Sequence, residues 1–286
     1  MRFENEVQEL YLNAYGKGIS SLRKTEKEGA PTHLQVLEAT LDKTRVAYKT
    51  DLGVMEIPVS QIVGVLAANG KQQLYTPDFL PLSSPKSAFA QQWCQVYLEY
   101  LSDKGLRAPI CCYEYLGRFY VQDGVKRVSV LKADGASTVS AQVIRLMPKY
   151  TKEQNVQRYY EFLHHFRLTR LYQVFFTRPG SFEKLQAALG HESNHRWDET
   201  DRFGFLFHWC TIENAFLKAY GHELTITAAD ALIVLLEHYT YAQIIKMPVW
   251  LLTRVFQAYW KELYALSFPG YAPEAKQHFT GKLQTA

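Results

Sequence analysis

The sequence predicts an α+β fold in which a small mixed sheet with helices is preceded by an N-terminal helix and followed by a mostly helical C-terminal region. Three observations predict it. Apolar residues recur at helical spacing in 3–28, a strand, a tight turn and a helix follow one another in 118–132, and apolar helical stretches dominate the last part of the chain. The 286 residues, 47% of them hydrophobic, suffice for one large or two ordinary domains. We therefore divide the chain into a helical prelude (1–45), a mixed domain (46–150) and a helical domain (151–286).

The prelude opens with a predicted long helix. Its apolar residues from Val7 onward share one helical face, and Gly16 and Gly18 predict that the helix is interrupted or bent at these glycines. A Gly-Ala-Pro segment ends it, and the spacing of the following leucines predicts a second short helix from residue 32. Residues 45–48 predict a strand that leads into the mixed domain.

The strand–turn–helix pattern of residues 118–132 is the most informative about chemistry. A glycine in the turn lets the backbone approach an anion, and the first N–H groups of a helix combine free donors with the positive end of the helix dipole. Two cations at the start of the helix would add charge-assisted hydrogen bonds. The pattern predicts phosphate binding, and the alternative is a corner whose cations face solvent. The predicted binding residues are Asp123, Gly124, Val125, Lys126, Arg127 and Ser129.

Four landmarks around this turn occur in a fixed order. They are an opening strand that ends in Ile57-Pro58, a helix that closes in the Gly-Leu-x-x-Pro-Ile segment of 105–110, the strand and turn of 113–127, and a final strand at 136–143. With these landmarks, residues 52–148 resemble the ParB/sulfiredoxin superfamily, also labelled ParB-like nuclease, and most closely ParB-N-terminal-like bacterial proteins whose turn reads Gly-Asn-Lys-Arg. The resemblance covers about a third of the chain. It implies a ParB/sulfiredoxin-like sheet that binds CTP or ATP with Mg²⁺, and a homodimer controlled by nucleotide.

Val125 separates this turn from those of the proteins it resembles. Sulfiredoxins carry a cysteine inside the turn, and the bacterial subgroup carries an asparagine. Without the cysteine, sulfinic-acid reductase activity is excluded. A valine side chain cannot hydrogen-bond a phosphate, so either Lys126, Arg127 and the backbone suffice for binding, or the site is weakened or lost.

Carboxylates near the turn are the candidate catalytic groups, because phosphoryl transfer needs Mg²⁺ and a base that orients the acceptor. Glu56 on the opening strand and Glu114 on the strand before the turn are the candidate bases, although Glu114 also fits the solvent-facing side of a strand. Asp123 fits helix capping better than metal binding. Ser129 and Lys132 extend the phosphate site if they share the face of the two cations.

The helical domain is rich in aromatic residues whose intervals of three, four and seven predict helix faces that pack together. They include Phe205, Phe207, Trp209, Phe216, Tyr220, Tyr239, Trp250, Phe256, Tyr259 and Trp260. A groove for a partner helix or a base-stacking platform is the minority interpretation, and few of the cations that a stacking platform needs lie between these rings. Thr227 is an N-cap candidate ahead of the apolar stretch 230–241, and a second such stretch spans 249–266. No segment resembles the DNA-reading helix-turn-helix that follows this domain in partition ParB proteins.

Charge and hydropathy limit the partners of the chain. The net charge is +4 and the basic residues are dispersed, so nucleic-acid binding is possible but not supported by charge. No apolar run is long enough for a membrane span and the N-terminus does not resemble a signal peptide, which predicts a cytoplasmic protein without membrane contact. The four cysteines form no Cys-x-x-Cys pair and are predicted to be small buried apolar residues.

His191 and His195 belong to an H-E-x-x-H sequence, which on a helix would place two zinc ligands on one face. Here the sequence follows Leu-Gly and contains Ser-Asn, which predicts a polar loop. No zinc is therefore expected.

Three classes of function remain compatible with these residues. The leading hypothesis is a nucleotide-binding, ParB-like regulatory module that controls the helical domain or dimerisation. The second is an enzyme, either a small-molecule kinase or a nucleotide hydrolase, that uses the same turn with Glu56 or Glu114 as base. The third is a DNA-binding transcription regulator or a ParB-like nuclease.

Overall fold

The computed structural model of the chain describes residues 2–68, 70–102, 105–106, 108–220 and 223–268, and it confirms the predicted α+β class. The chain divides into two compact units at Gln157 and Arg158, called here the N-terminal and C-terminal units. The strands are β1 Gln35–Val36, β2 Val46–Pro58, β3 Ile62–Val65, β4 Ile110–Tyr115, β5 Arg118–Asp123 and β6 Thr138–Pro148. The helices are α1 Arg2–Glu28, α2 Leu37–Thr40, α3 Ala88–Tyr100, α4 Val125–Asp134, α5 Gln154–Thr169, α6 Ser181–Ala188, α7 Glu199–Tyr220, α8 Ala228–Leu236, α9 Tyr241–Ile244, α10 Val249–Ala258 and α11 Trp260–Ser267.

The six strands found in the described part of the chain form one mixed sheet in the order β1-β3-β5-β4-β6-β2. The hairpin of β4 and β5 and the long pair of β2 and β6 are antiparallel, whereas β4 and β6 run parallel, as do β1, β3 and β5. The first turn of α4 therefore starts from a central strand of the sheet.

Helix α1 runs without a break from Arg2–Glu28, so the predicted interruption at Gly16 and Gly18 is wrong. At Gly18 a Cβ atom would lie 2.6 Å from the carbonyl oxygen of Pro81. The glycine thus allows a loop to pack closely against the helix. The predicted short helix from residue 32 also begins later, because Gln35–Val36 forms a strand beside β3 before α2 starts.

Two clusters of buried side chains support the sheet of the N-terminal unit. Tyr11, Trp93 and Val130 join α1, α3 and α4, and the rings of Tyr11 and Trp93 meet edge to face with centroids 5.3 Å apart. Tyr120 and Leu146 pack with α2 in a second cluster. Burial of the first cluster fixes α4 in place.

The C-terminal unit is a helical assembly with one large apolar core. Trp209, Phe216 and Phe256 are buried in it, as the helical spacing predicts, whereas Phe207 and Trp250 are 78% and 62% exposed. The predicted core role is therefore wrong for these last two aromatics. The two predicted apolar stretches are each divided, the first between α8 and α9 and the second between α10 and α11.

Helix α8 begins where the sequence predicts. The Thr227 hydroxyl accepts a hydrogen bond from the backbone N–H of Asp230, and the Asp230 carboxylate accepts one from the backbone N–H of Thr227. This capping box satisfies two N–H groups that a buried helix end would otherwise leave without partners.

All four cysteines are free thiols. Cys112 is buried and its burial raises the pKa of the thiol to about 12, which fits the predicted apolar role. Cys210 is exposed, so that role is wrong for this residue.

Candidate phosphate-binding turn

The segment Asp123 to Arg127, called here the Gly124 turn, joins β5 to α4 as the sequence predicts. Gly124 has a φ of 103°, in the region that favours glycine. A Cβ atom at this position would lie 2.7 Å from Cγ2 of Ile110 and 3.0 Å from the Arg127 guanidinium. Only glycine fits this corner without a displacement of its neighbours.

The first turn of α4 has no side-chain cap, because its N-cap residue is Gly124. The Gly124 carbonyl accepts the N–H of Val128, the first internal bond of the helix. The N–H groups of residues 125–127 precede this bond, and these residues are partly accessible to solvent. The end of the helix therefore offers backbone donors and positive potential to an anion.

Lys126 is the second residue of α4, and its side chain is held by α3. Its ammonium group donates a hydrogen bond to Oε1 of Gln92 and lies 5.4 Å from the centroid of the Phe89 ring. Partial burial lowers the pKa of Lys126, and the charge of nearby Lys71 lowers it further. Lys71 thus adds a second positive charge to the surroundings of Lys126.

The Arg127 side chain forms hydrogen bonds with other groups of the protein. Its guanidinium donates to the Asp123 carboxylate at 2.7 Å and to the carbonyl oxygens of Ala108 and Pro109. These bonds tie the first turn of α4 to the segment that leads into β4. Arg127 consequently shapes the turn, and Lys126 is the cation with fewer competing hydrogen bonds.

Ser129 and Lys132 point away from the Gly124 turn. The buried Ser129 hydroxyl accepts a hydrogen bond from the Trp93 indole at 2.9 Å and donates one to the carbonyl of Phe79 at 2.7 Å. The Lys132 ammonium donates to the carbonyl of Ile62 at 2.8 Å. Both side chains anchor α4 to its neighbours, and the structure does not bring them together with the turn.

The interpretation of Glu114 as the solvent-facing side of a strand is wrong, because its side chain is fully buried. It accepts hydrogen bonds from Nε of Arg145 and from the backbone N–H of Gly117. Cys111 pairs with Asp123, and Glu114 lies three residues further along β4, which is about 10 Å away. A buried ion pair of this kind is a structural contact.

Glu56 is exposed on β2, the edge strand of the sheet, and pairs with Ser140. Strands β4 and β6 separate it from β5, so about three strand spacings, or about 14 Å, lie between Glu56 and the turn. The structure does not bring Glu56, Glu114 and Asp123 together. The carboxylate at the turn is Asp123, which is exposed and paired with Arg127.

Sequence reasoning missed the partners of Lys126. Gln92 and Phe89 come from α3, and Lys71 comes from a short 3-10 turn, Lys71–Leu74. No local pattern connects these positions with the turn. The packing of α3 beside α4 brings Gln92 and Phe89 to Lys126.

No protein-family model matches the chain, and no curated protein matches it. The resemblance to the ParB/sulfiredoxin superfamily, with its CTP or ATP, Mg²⁺ and homodimer, therefore stays a prediction. None of the described helices combines the length and the apolar character needed to cross a membrane.

Proposed function

We propose that the N-terminal unit binds the phosphate groups of a nucleotide, CTP or ATP with Mg²⁺, at the Gly124 turn and acts as a regulatory module. The single observation that carries the proposal is the helix end itself: α4 begins without a side-chain cap at a positive-φ glycine, with Lys126 and Lys71 next to it. A phosphate there would receive backbone hydrogen bonds and relieve the repulsion between the two lysines.

Binding is favoured over catalysis by the position of the carboxylates. Glu114 is buried in an ion pair and Glu56 lies on the far edge strand. Neither is placed to orient an acceptor at the turn, and a general base has to lie within hydrogen-bond reach of the proton it removes. Regulation of the C-terminal unit or of dimerisation is the role we propose for the bound nucleotide.

The test is calorimetric titration of the protein with CTP, ATP and GTP in the presence of Mg²⁺, together with thermal melts. A nucleotide at 100 times its Kd stabilises the folded state by about 2.7 kcal/mol. Lys126→Met should weaken binding by about tenfold or more, because a charge-assisted hydrogen bond is lost. Lys24→Met is the matched control, since Lys24 is an exposed lysine on α1 and the variant has the same net charge.

The proposal fails if none of the nucleotides binds the wild-type protein, or if Lys126→Met and Lys24→Met bind equally well. Lys126→Met is a sharper probe than Arg127→Ala, because loss of Arg127 would also release the segment that leads into β4.

A further inference from the structure

Three side chains that can bind a metal meet between α6 and α7 in the C-terminal unit: His191, His195 and Asp201, called here the His–His–Asp cluster. Nε2 of His195 lies 2.7 Å from Oδ2 of Asp201, and Nε2 of His191 lies 3.7 Å from Oδ1 of the same carboxylate. The ligand atoms of all three residues lie within 4.8 Å of one another. The two imidazole rings are stacked, with centroids 4.1 Å apart.

A turn, and not a helix, brings the two histidines together. The N–H of His195 donates to the carbonyl of Glu192 at 3.0 Å, which folds the segment back on itself. The buried side chain of Gln186 holds this turn, because its amide donates to the carbonyl of His195 and accepts the indole N–H of Trp197. The loop predicted from the sequence is thus confirmed, but it is anchored to the core.

Asp201 is fixed by the start of α7. Its carboxylate accepts the N–H of Asp198, and its own N–H donates to the Asp198 carboxylate. Nε2 of His195 holds the same carboxylate from the other side, at 2.7 Å from Oδ2. A carboxylate in a fixed position is suited to metal binding.

The ligand atoms are close together but not yet at the spacing of a bound ion. Ligand atoms about 2.0–2.1 Å from a tetrahedral zinc lie about 3.4 Å from one another. Nε2 of His195 lies closer than this to Oδ2 of Asp201, at 2.7 Å, and Nε2 of His191 lies farther from Oδ1, at 3.7 Å, so the side chains have to rotate to place one atom of each on a common ion. Helix capping explains Asp201 and its bond to His195. It does not account for His191, whose Nε2 lies 3.7 Å from the same carboxylate. Because the two rings are parallel, one of them has to turn before the nitrogen lone pairs of both can meet at one ion.

We infer that His191, His195 and Asp201 bind a divalent transition-metal ion of the zinc class. Two imidazoles and one carboxylate form a borderline N/O ligand set that suits zinc, and cobalt can replace zinc in such a site. The side chains are 22%, 38% and 20% exposed, so a water molecule from solvent can complete a four-coordinate site. Because all three ligands come from one short segment, the ion would fasten the connection between α6 and α7.

The H-E-x-x-H spacing does not make this a peptidase site. Zinc peptidases hold the motif on a helix, which directs its glutamate to the metal-bound water. Here Glu192 is an exposed residue of a turn. The inference therefore concerns metal binding, and it extends to no hydrolytic step.

The test uses untagged full-length protein, freed of metal by dialysis against EDTA and titrated with Zn²⁺ by calorimetry and with Co²⁺ by visible absorption. The wild-type protein should bind one equivalent, and Co²⁺ should give the absorption of a site with low coordination number. His191→Gln and His195→Gln should each weaken binding by at least about 100-fold, since even the loss of a group that only orients a ligand costs about 10- to 100-fold.

Glutamine keeps a hydrogen-bonding side chain at each position, so both variants should stay folded, which circular dichroism and a thermal melt will verify. His208→Ala is the matched control, because His208 lies on α7 outside the cluster. The inference is overturned if the wild-type protein binds no stoichiometric metal, or if the two glutamine variants bind as tightly as His208→Ala.

Discussion

The first N–H groups of a helix have no partner inside it, and the starts of α4 and α7 differ in how these groups are bonded. Helix α4 begins at Gly124 without a side-chain cap and has cations nearby, whereas α7 is preceded by a reciprocal pair of hydrogen bonds between Asp198 and Asp201. The first end leaves backbone donors for an external anion, and the second satisfies them internally with carboxylates. The Asp201 carboxylate of this pair also lies beside two imidazoles, so the ligands that we propose for the two ends, a phosphate and a divalent metal ion, have opposite charges.

The largest change in stability is expected when Gly124, the residue at the start of α4, is replaced. Gly124→Ala should lower the free energy of unfolding by about 3 kcal/mol, because it combines a disfavoured backbone conformation with an overpacked contact. The added methyl group would meet Ile110 and Arg127. Chemical denaturation of the N-terminal unit within the full chain measures the loss.

Gly135→Ala is the matched control for this variant. Gly135 ends the same helix at a φ of 80°, and a Cβ atom there would meet nothing within 4 Å. Its replacement should cost about 1 kcal/mol, from the backbone conformation alone. Equal losses in the two variants would mean that the corner at Gly124 is not sterically constrained.

A second prediction concerns charge within α4. Burial lowers the pKa of Lys132 to about 8, from an ordinary value of 10.5, and the charge of Asp78 acts weakly in the opposite direction. Between these two pH values the unfolded chain holds a proton that the folded protein has released, so stability rises with pH. From pH 8 to pH 10 the contribution of Lys132 should be about 2 kcal/mol.

The measurement compares urea unfolding of the wild-type protein and Lys132→Met at several pH values in this range. Methionine keeps the apolar stem but cannot titrate. Taking the difference between the two proteins removes the contribution of the cysteines and tyrosines, several of which have raised pKa values that lower stability at high pH. Parallel pH profiles for the two proteins would contradict the prediction.

The smallest expected changes in stability are those caused by replacing a charged side chain at each of the two helix ends. In the presence of EDTA, Asp201→Ala should destabilise the protein by about 1.5 kcal/mol, because a cap and the hydrogen bond to His195 are lost. Lys126→Met should change stability by no more than about 0.5 kcal/mol, and in the stabilising direction, because a cation at a helix N-terminus opposes the dipole. Thermal and urea melts at low ionic strength measure the stability of both variants. Changes in stability of the same sign in the two variants would contradict the prediction.

The sequence predicts local features of the fold well where one short segment determines them. The β5–Gly124–α4 corner and the Thr227 cap each depend on residues within a few positions of each other, and the structure has both at the predicted positions. The local pattern does not reveal why residue 18 is a glycine, because the reason is the contact with Pro81, which is distant in sequence. A glycine needed for close packing and a glycine that breaks a helix have the same local pattern.

The candidate site residues also have partners that are distant in sequence and that local patterns do not reveal. Glu114 is buried because Arg145, on a different strand, pairs with it, and Lys126 is held by residues of α3. His191 and His195 were seen in the sequence, but Asp201 was not connected with them. The three side chains come together because Gln186 holds the turn between them. The spacing of apolar residues does not predict that this polar residue is buried.

The hydrogen bond between Trp93 and Ser129 links α3 to the middle of α4. Trp93 is fully buried, and the other four tryptophans of the chain all lie beyond residue 190, in the C-terminal unit. The N-terminal unit thus contains one tryptophan, hydrogen-bonded directly to the helix whose first turn forms the proposed phosphate site. In a variant whose other four tryptophans are replaced by phenylalanine, a change in tryptophan emission would report a movement of α4 without any label.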